Sequence, residues 1–102
     1  MKAKDIFTTK RNFDLEKAVP LTEVKKEIVL NDFEVYFSKK YSSEFTVIET
    51  EEGNLIYSWS KVIADKFKKV NELPYDEWKG LVLKVVKRNS ENGRTYFDLE
   101  AV

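Results

Sequence analysis

Apolar positions change their period several times along the chain, and each change marks an element. Ile28 and Leu30 alternate with polar residues, and so do Phe33, Val35 and Phe37, but the two runs are out of phase across Asn31-Asp32. That slip predicts one long strand interrupted by a bulge or sharp bend, with Val35 and Phe37 on its apolar face. A polar loop follows, Lys39-Lys40-Tyr41-Ser42-Ser43-Glu44, and then Phe45–Thr50, rich in β-branched residues, predicts a second strand. Glu51-Glu52-Gly53-Asn54 predicts a tight hairpin into a third strand, Leu55–Trp59. Ser60 then reads as a helix N-cap, with Val62, Ile63, Phe67 and Val70 at helical spacing. Lys61, Lys66, Lys68 and Lys69 form the polar flank and suit the negative C-terminal end of the helix dipole. Asn71–Pro74 ends the helix, and Tyr75–Gly80 is a connector in which Trp78 is expected to anchor packing. Leu81–Lys87 and Thr95–Val102 predict two more strands, joined by a polar loop, Arg88–Arg94, that contains Asn92-Gly93.

The first residues lack such a period. Ile6, Phe7, Phe13, Leu15 and Val19 are scattered anchors, and Pro20 closes the stretch. Residues 1–26 are therefore expected to form an arm lying over the domain, with helical turns near 14–18 and 22–26, and residues 27–102 to form the domain itself.

Composition narrows the classes. A chain of 102 residues that is 42% hydrophobic, with seven Phe, five Tyr and two Trp, suits one domain with a real core. Basic and acidic residues number 18 each, so a polyanion would have to be met by a local patch rather than by bulk charge. The absence of Cys and His excludes disulfide scaffolds, Cys/His zinc sites, thiol nucleophiles and imidazole acid–base chemistry. The acidic run Glu49-Thr50-Glu51-Glu52 matches no calcium loop and reads as a solvated turn. With no phosphate loop, nucleophile elbow or metal triplet, no catalytic residue is assigned, no enzyme activity is expected, and no metal or cofactor is expected. No apolar run is long enough to span a membrane, and Met1–Phe7 leads into no apolar segment of the kind a signal peptide needs, so an intracellular protein with no membrane partner is expected.

The order strand, strand, strand, helix, strand, strand resembles the OB-fold, a five-stranded Greek-key barrel plugged at one end by a helix. The resemblance is carried by the bent IVLNDFEVYF strand, the TVIETEEGNLIYSW hairpin, the SKVIADKFKKV helix and the GLVLKVVKRNSENGRTYFDLEAV hairpin, and covers residues 27–102. It implies a mainly β, closed barrel with Ile63, Phe67 and Val70 as the plug. It is also similar in rhythm to the small single-domain OB proteins of phages, archaeal viruses and archaea that bind single-stranded DNA in replication or strand protection.

That family would place a ligand across the second and third strands, between the loop that follows the first strand and the loop that joins the last two. A single strand needs rings on which bases stack and cations that follow its phosphates. The candidate rings are Tyr36, Tyr41, Tyr57, Trp59 and Tyr96, and the candidate cations are Lys39, Lys40, Lys84, Arg88 and Arg94. Lys87 adds a further charge. Tyr57 and Trp59 share a strand face with Leu55, and that face is either the barrel interior or the stacking surface. Tyr36 is expected outside, opposite the Val35–Phe37 phase. Tyr96 is also expected outside, beside Asp98 and Glu100, whose charges would repel phosphate. Loop cations are most often only solvated charges, which is the plain alternative for Lys39, Lys40, Arg88 and Arg94. Two readings therefore stand: binding of single-stranded DNA or RNA with little sequence preference, or a protein-interaction module that takes a peptide or a second copy by its groove or a strand edge.

Overall fold

In the computed structural model, residue 13 and residues 15–102 are described. The anchors expected at Ile6 and Phe7 lie outside them. Six strands form one mixed sheet curled into a half-barrel: β1 (Val19–Pro20), β2 (Ile28–Ser38), β3 (Ser43–Thr50), β4 (Leu55–Ser58), β5 (Val82–Asn89) and β6 (Thr95–Ala101). Two helices, α1 (Lys61–Val70) and α2 (Tyr75–Trp78), lie between β4 and β5. Short 3-10 turns occupy Leu15–Lys17 and Leu21–Glu23.

The bend in β2 organises the sheet. Its start pairs with β5 (Ile28 opposite Leu83), and the stretch from Leu30 onward pairs with β3. The register shifts between Leu30 and Asp32, where the sequence changes phase. The extra residue keeps Ile28, Leu30 and Phe33 on one buried face although their spacing breaks strict alternation. Backbone bonds hold the bend from both sides: Leu30 N–H donates to the Leu81 carbonyl at 2.9 Å, and Gly80 N–H donates to the Leu30 carbonyl at 2.8 Å. Gly80 makes that return with a φ of 83°, which a side chain would strain.

Phe33, Ile48 and Ile56 lie opposite one another on β2, β3 and β4 and fix the interior face. Helix α1 closes over it. Ser60 caps the helix, its Oγ accepting from Ile63 N–H at 3.4 Å, and Lys68 and Lys69 fall in the last turn. Ile63, Ala64 and Phe67 are buried, and Phe67 meets Phe33 at a 4.9 Å ring separation. Trp78 is also buried and stands edge-on to Phe33 at 4.9 Å, so one phenyl ring ties β2 to both helices. Two apolar expectations fail here. Val62 points outward at 41% exposure and its core place is taken by Ala64, because the buried stripe runs 63-64-67. Phe37 is 62% exposed, because β2 runs on past the interior cluster into a projecting hairpin.

The expected closure of five strands into a barrel is also corrected. Neighbours across the sheet run β1-β4-β3-β2-β5-β6, so among the described residues the sheet ends at β1 and β6. The outer edge of β4 is covered by a parallel pairing with β1, Val19 opposite Ile56 and Pro20 opposite Tyr57. Leu21 then turns into the core and is 3% exposed. A seam remains between β4 and β6.

Phe67→Ala removes the contact between helix and bent strand. It should lower the free energy of unfolding by about 3–5 kcal/mol, as truncation of a buried Phe does. A urea titration followed by far-UV circular dichroism measures this, and a loss under about 1 kcal/mol would show that the helix is not part of the core.

Candidate nucleic-acid interface

Interior and exterior faces of β2, β3 and β4 follow from the cross-strand partners. Since Phe33, Ile48 and Ile56 face inward, the residues that alternate with them face outward. Outward positions toward the β2–β3 turn are Tyr36 and Phe45, which are direct partners, and Tyr57 lies outward on β4. The open question about Tyr57 and Trp59 is thereby answered: Ile56 takes the interior, Tyr57 is half-buried on the outer side, and Trp59 is 44% exposed.

These rings join into a row. Tyr36 stacks on Phe45 at 5.0 Å with planes 19° apart, Phe45 meets Trp59 at 4.8 Å, and Trp59 meets Tyr41 edge-on at 5.6 Å. Tyr41 is 63% exposed, and Lys40 Nζ lies 5.3 Å from its ring centre. The row therefore ends in a cation held against an aromatic face. Each ring touches the next, so a ligand can lie over the row but not between its members.

The turn at the end of the row is shaped by polar contacts. Ser38 Oγ accepts from Tyr41 N–H at 3.3 Å, and Ser42 takes a left-handed φ of 49° so that the chain can re-enter β3. Lys39 and Lys40 are exposed on this turn. Just after the turn, Glu44 is engaged by Lys68 of α1 at 2.5 Å, which neutralises the carboxylate that follows the lysines in the chain. The other end of the same outer face carries Asp32, Glu34 and Glu49, so the surface is aromatic and basic at one end and acidic at the other.

Phe45 is the member of the row that sequence reasoning missed. Phe45 and Val47 lie on the side of the sheet opposite Thr46 and Ile48, and Val47 is fully buried there, so β3 carries apolar residues on both sides and its alternation hides the stacking face. The available signal was its pairing with Tyr36, which follows from the register of the turn.

The remaining candidates gather elsewhere. Tyr57, Trp59 and Tyr96 line a cavity of about 380 Å3 in the seam between β4 and β6, together with Pro20–Thr22. Arg94 is exposed on the β5–β6 hairpin. Lys84 and Arg88 are drawn into ion pairs within β5 and β6: Lys84 lies 3.9 Å from Glu100, and Arg88 bonds both Glu100 and Asp98. The expectation that Asp98 projects as a free, repelling charge is overturned. Its side chain is 5% exposed, and Lys66 Nζ donates to both of its oxygens at 2.8 Å. Arg88 Nε adds a bond at 3.0 Å, and Leu99 N–H another at 2.8 Å.

Burial alone would push the Asp98 carboxyl up, but the bonds from Lys66, Leu99 N–H and Arg88 outweigh it and hold it below the ordinary carboxylate range. The bond to Glu100, then that to Asp98, holds the Arg88 guanidinium above its ordinary value.

Lys66 also donates to the Leu99 carbonyl at 3.0 Å. Both main-chain groups of Leu99 on the outer edge of β6 are thus occupied by side chains, and that stretch is closed to a further strand.

Comparison with known protein families, with curated proteins and with solved structures returns no match. Among the described residues no helix is long and apolar enough to cross a membrane, and no group of three or more carboxylates is placed to hold a metal ion.

A depressed native pKa means that the Asp98 contribution is complete above the ordinary Asp value near ~3.9 and is lost as pH falls through the lower native value. Asp98→Asn should cost about 1–3 kcal/mol at neutral pH, in the range of hydrogen bonds to charged groups. The gap between wild type and variant in urea titrations should shrink below about pH 4. A gap that stays constant down to about pH 2 would mean that the carboxylate charge does not carry the interaction.

Proposed function

We propose that this protein binds single-stranded nucleic acid on the outer face of β2, β3 and β4, with bases lying over the Tyr36–Phe45–Trp59–Tyr41 row and phosphates meeting Lys39 and Lys40. The observation that carries this reading is the row itself: four rings in continuous contact, two of them well exposed, ending at an exposed pair of lysines. Exposed aromatic surface costs free energy in water and is retained where something covers it. A ring platform beside cations is the chemistry a single strand needs, because every base has a face to stack and every linkage a charge to neutralise. The element order adds support: three antiparallel strands, a helix over the interior and a final hairpin, with β2 shared between both halves, resemble the order of the OB plan. On this reading the half-barrel is an OB variant whose seam is partly filled by β1 and Leu21 instead of by direct β4–β6 pairing.

The placement of charge gives the bound strand a direction of confinement. Lys39 and Lys40 favour the β2–β3 hairpin end, whereas Asp32, Glu34 and Glu49 disfavour phosphate at the other. Zero net charge is then no obstacle, since the attraction is local and short-ranged at physiological salt.

Pairing with a second copy through a sheet edge has less to recommend it. β1 is two residues long and one is Pro20, which has no N–H to offer, while Leu99 on β6 is already bonded to Asp98 and Lys66.

Fluorescence anisotropy with labelled oligothymidine at low and near-physiological salt tests the proposal. Binding that weakens steeply with salt is expected. Trp59→Ala should reduce the binding free energy by about 1–3 kcal/mol, the scale of one lost base stack. Replacing Lys39 and Lys40 by Glu should weaken binding and flatten the salt dependence while leaving the fold intact. Absence of binding by wild type at low salt would reject the proposal.

A further inference from the structure

The seam between β4 and β6 has a chemistry different from that of the ring row, and Trp59 belongs to both. Its ring touches Phe45 and Tyr41 on the outer face and also lines the seam cavity of about 380 Å3. The far wall is formed by Tyr96 and Phe97 of β6, and the near wall by Tyr57 and Ser58 of β4. None of the lining residues is charged. A phosphate entering here would lose water without gaining a cation, whereas an uncharged ring would gain aromatic walls.

Polar groups point into the same space. Leu99 carries its N–H and C=O away from β5, as its bonds to Asp98 and Lys66 show. The β5–β6 register is regular from Thr95 to Ala101, so Phe97, two residues earlier, carries its N–H and C=O to the same edge. Those two groups face the seam and have no partner among the described residues. On the opposite wall, Ser58 Oγ already accepts from Ser60 N–H at 3.1 Å, which leaves its hydroxyl proton to be donated. A donor and acceptor on one wall and a hydroxyl donor on the other can meet the edge of a heterocycle. They would be left unsatisfied by a purely apolar side chain.

We infer that the seam is a pocket for one nucleobase of the strand that lies over the ring row, so that this protein distinguishes bases at a single position. The inference rests on the proposed nucleic-acid reading and adds selectivity to it. The row accepts any base by stacking, while the pocket tests one base by the groups on its edge.

The test compares dissociation constants for twelve-residue oligomers of dT, dC and dA, for wild type and two variants, by anisotropy at one fixed salt concentration. Thr22→Trp places a large ring in the mouth of the pocket from an exposed position, and Ser58→Ala removes one hydroxyl donor without filling space. Wild type should separate its best and worst homopolymer by about fivefold or more, the lower end of what a well-bonded base edge discriminates. Thr22→Trp should weaken the best homopolymer and compress the spread, while retaining residual binding through the row. Ser58→Ala should compress the spread with little change in fold by circular dichroism. If Thr22→Trp fails to fold, Ser58→Ala alone decides. Binding by wild type with a spread that both folded variants leave unchanged would overturn the pocket and leave the ring row standing. No binding by wild type to any oligomer would overturn both.

Discussion

β2 is asked to satisfy two partners in different directions, and the extra residue between Leu30 and Phe33 is what allows it. Ile28 and Val29, before the bulge, pair with β5, and from Leu30 onward the strand pairs with β3. A strand without that insertion would either send Ile28 and Leu30 to the interior or Phe33 and Val35, but not all four, because side chains alternate strictly. The bulge resolves the conflict and curls the sheet at the same point. Phe33, just past it, can then meet Phe67 and Trp78, so the helices pack on the bend itself. The hairpin beyond is free of core duties, and there the outer face becomes aromatic.

The two ends of the sheet are handled differently. At β1 the edge is short and includes a proline. At β6 the edge is guarded by charge: a buried carboxylate accepts from two cations and a backbone amide while one of those cations also holds the next carbonyl. This arrangement uses ion pairs that add little stability when exposed, but where one member is buried, removing its partner is costly because a buried charge is left uncompensated. It also explains why cations on β5 are poor candidates for contact with phosphate. Lys84 and Arg88 are spoken for within their own hairpin, whereas Lys39 and Lys40 lie on a turn where the nearby carboxylate, Glu44, has been taken by Lys68.

Much of the architecture was legible in the residue pattern because it is written in local signals. Ser60 followed by apolar residues at 63 and 67 announces α1, the phase slip announces the bulge, and Gly53 and Asn92-Gly93 announce the hairpins. Three features were not legible, each for a physical reason. Two residues, Val19 and Pro20, are too few to show a period, so the sixth strand could not be seen. Asp98 looks like an outward polar residue because its partner Lys66 is distant in sequence and on another kind of element. Phe45 was hidden by a strand that is apolar on both faces, so the ring row was read from the tyrosines and Trp59 alone.

The parallel ladder between β1 and β4 carries a topological consequence. Val19 and Pro20 pair with Ile56 and Tyr57, and the whole β2–β3 hairpin intervenes between them along the chain. Unlike a hairpin, such a stave has no neighbour to zip onto as it leaves the ribosome, and the entropy of closing the intervening loop must be met before any contact repays it. The first of the described strands therefore waits for β4, and the segment that seals the interior with Leu21 is seated only after the meander it leans on has been made.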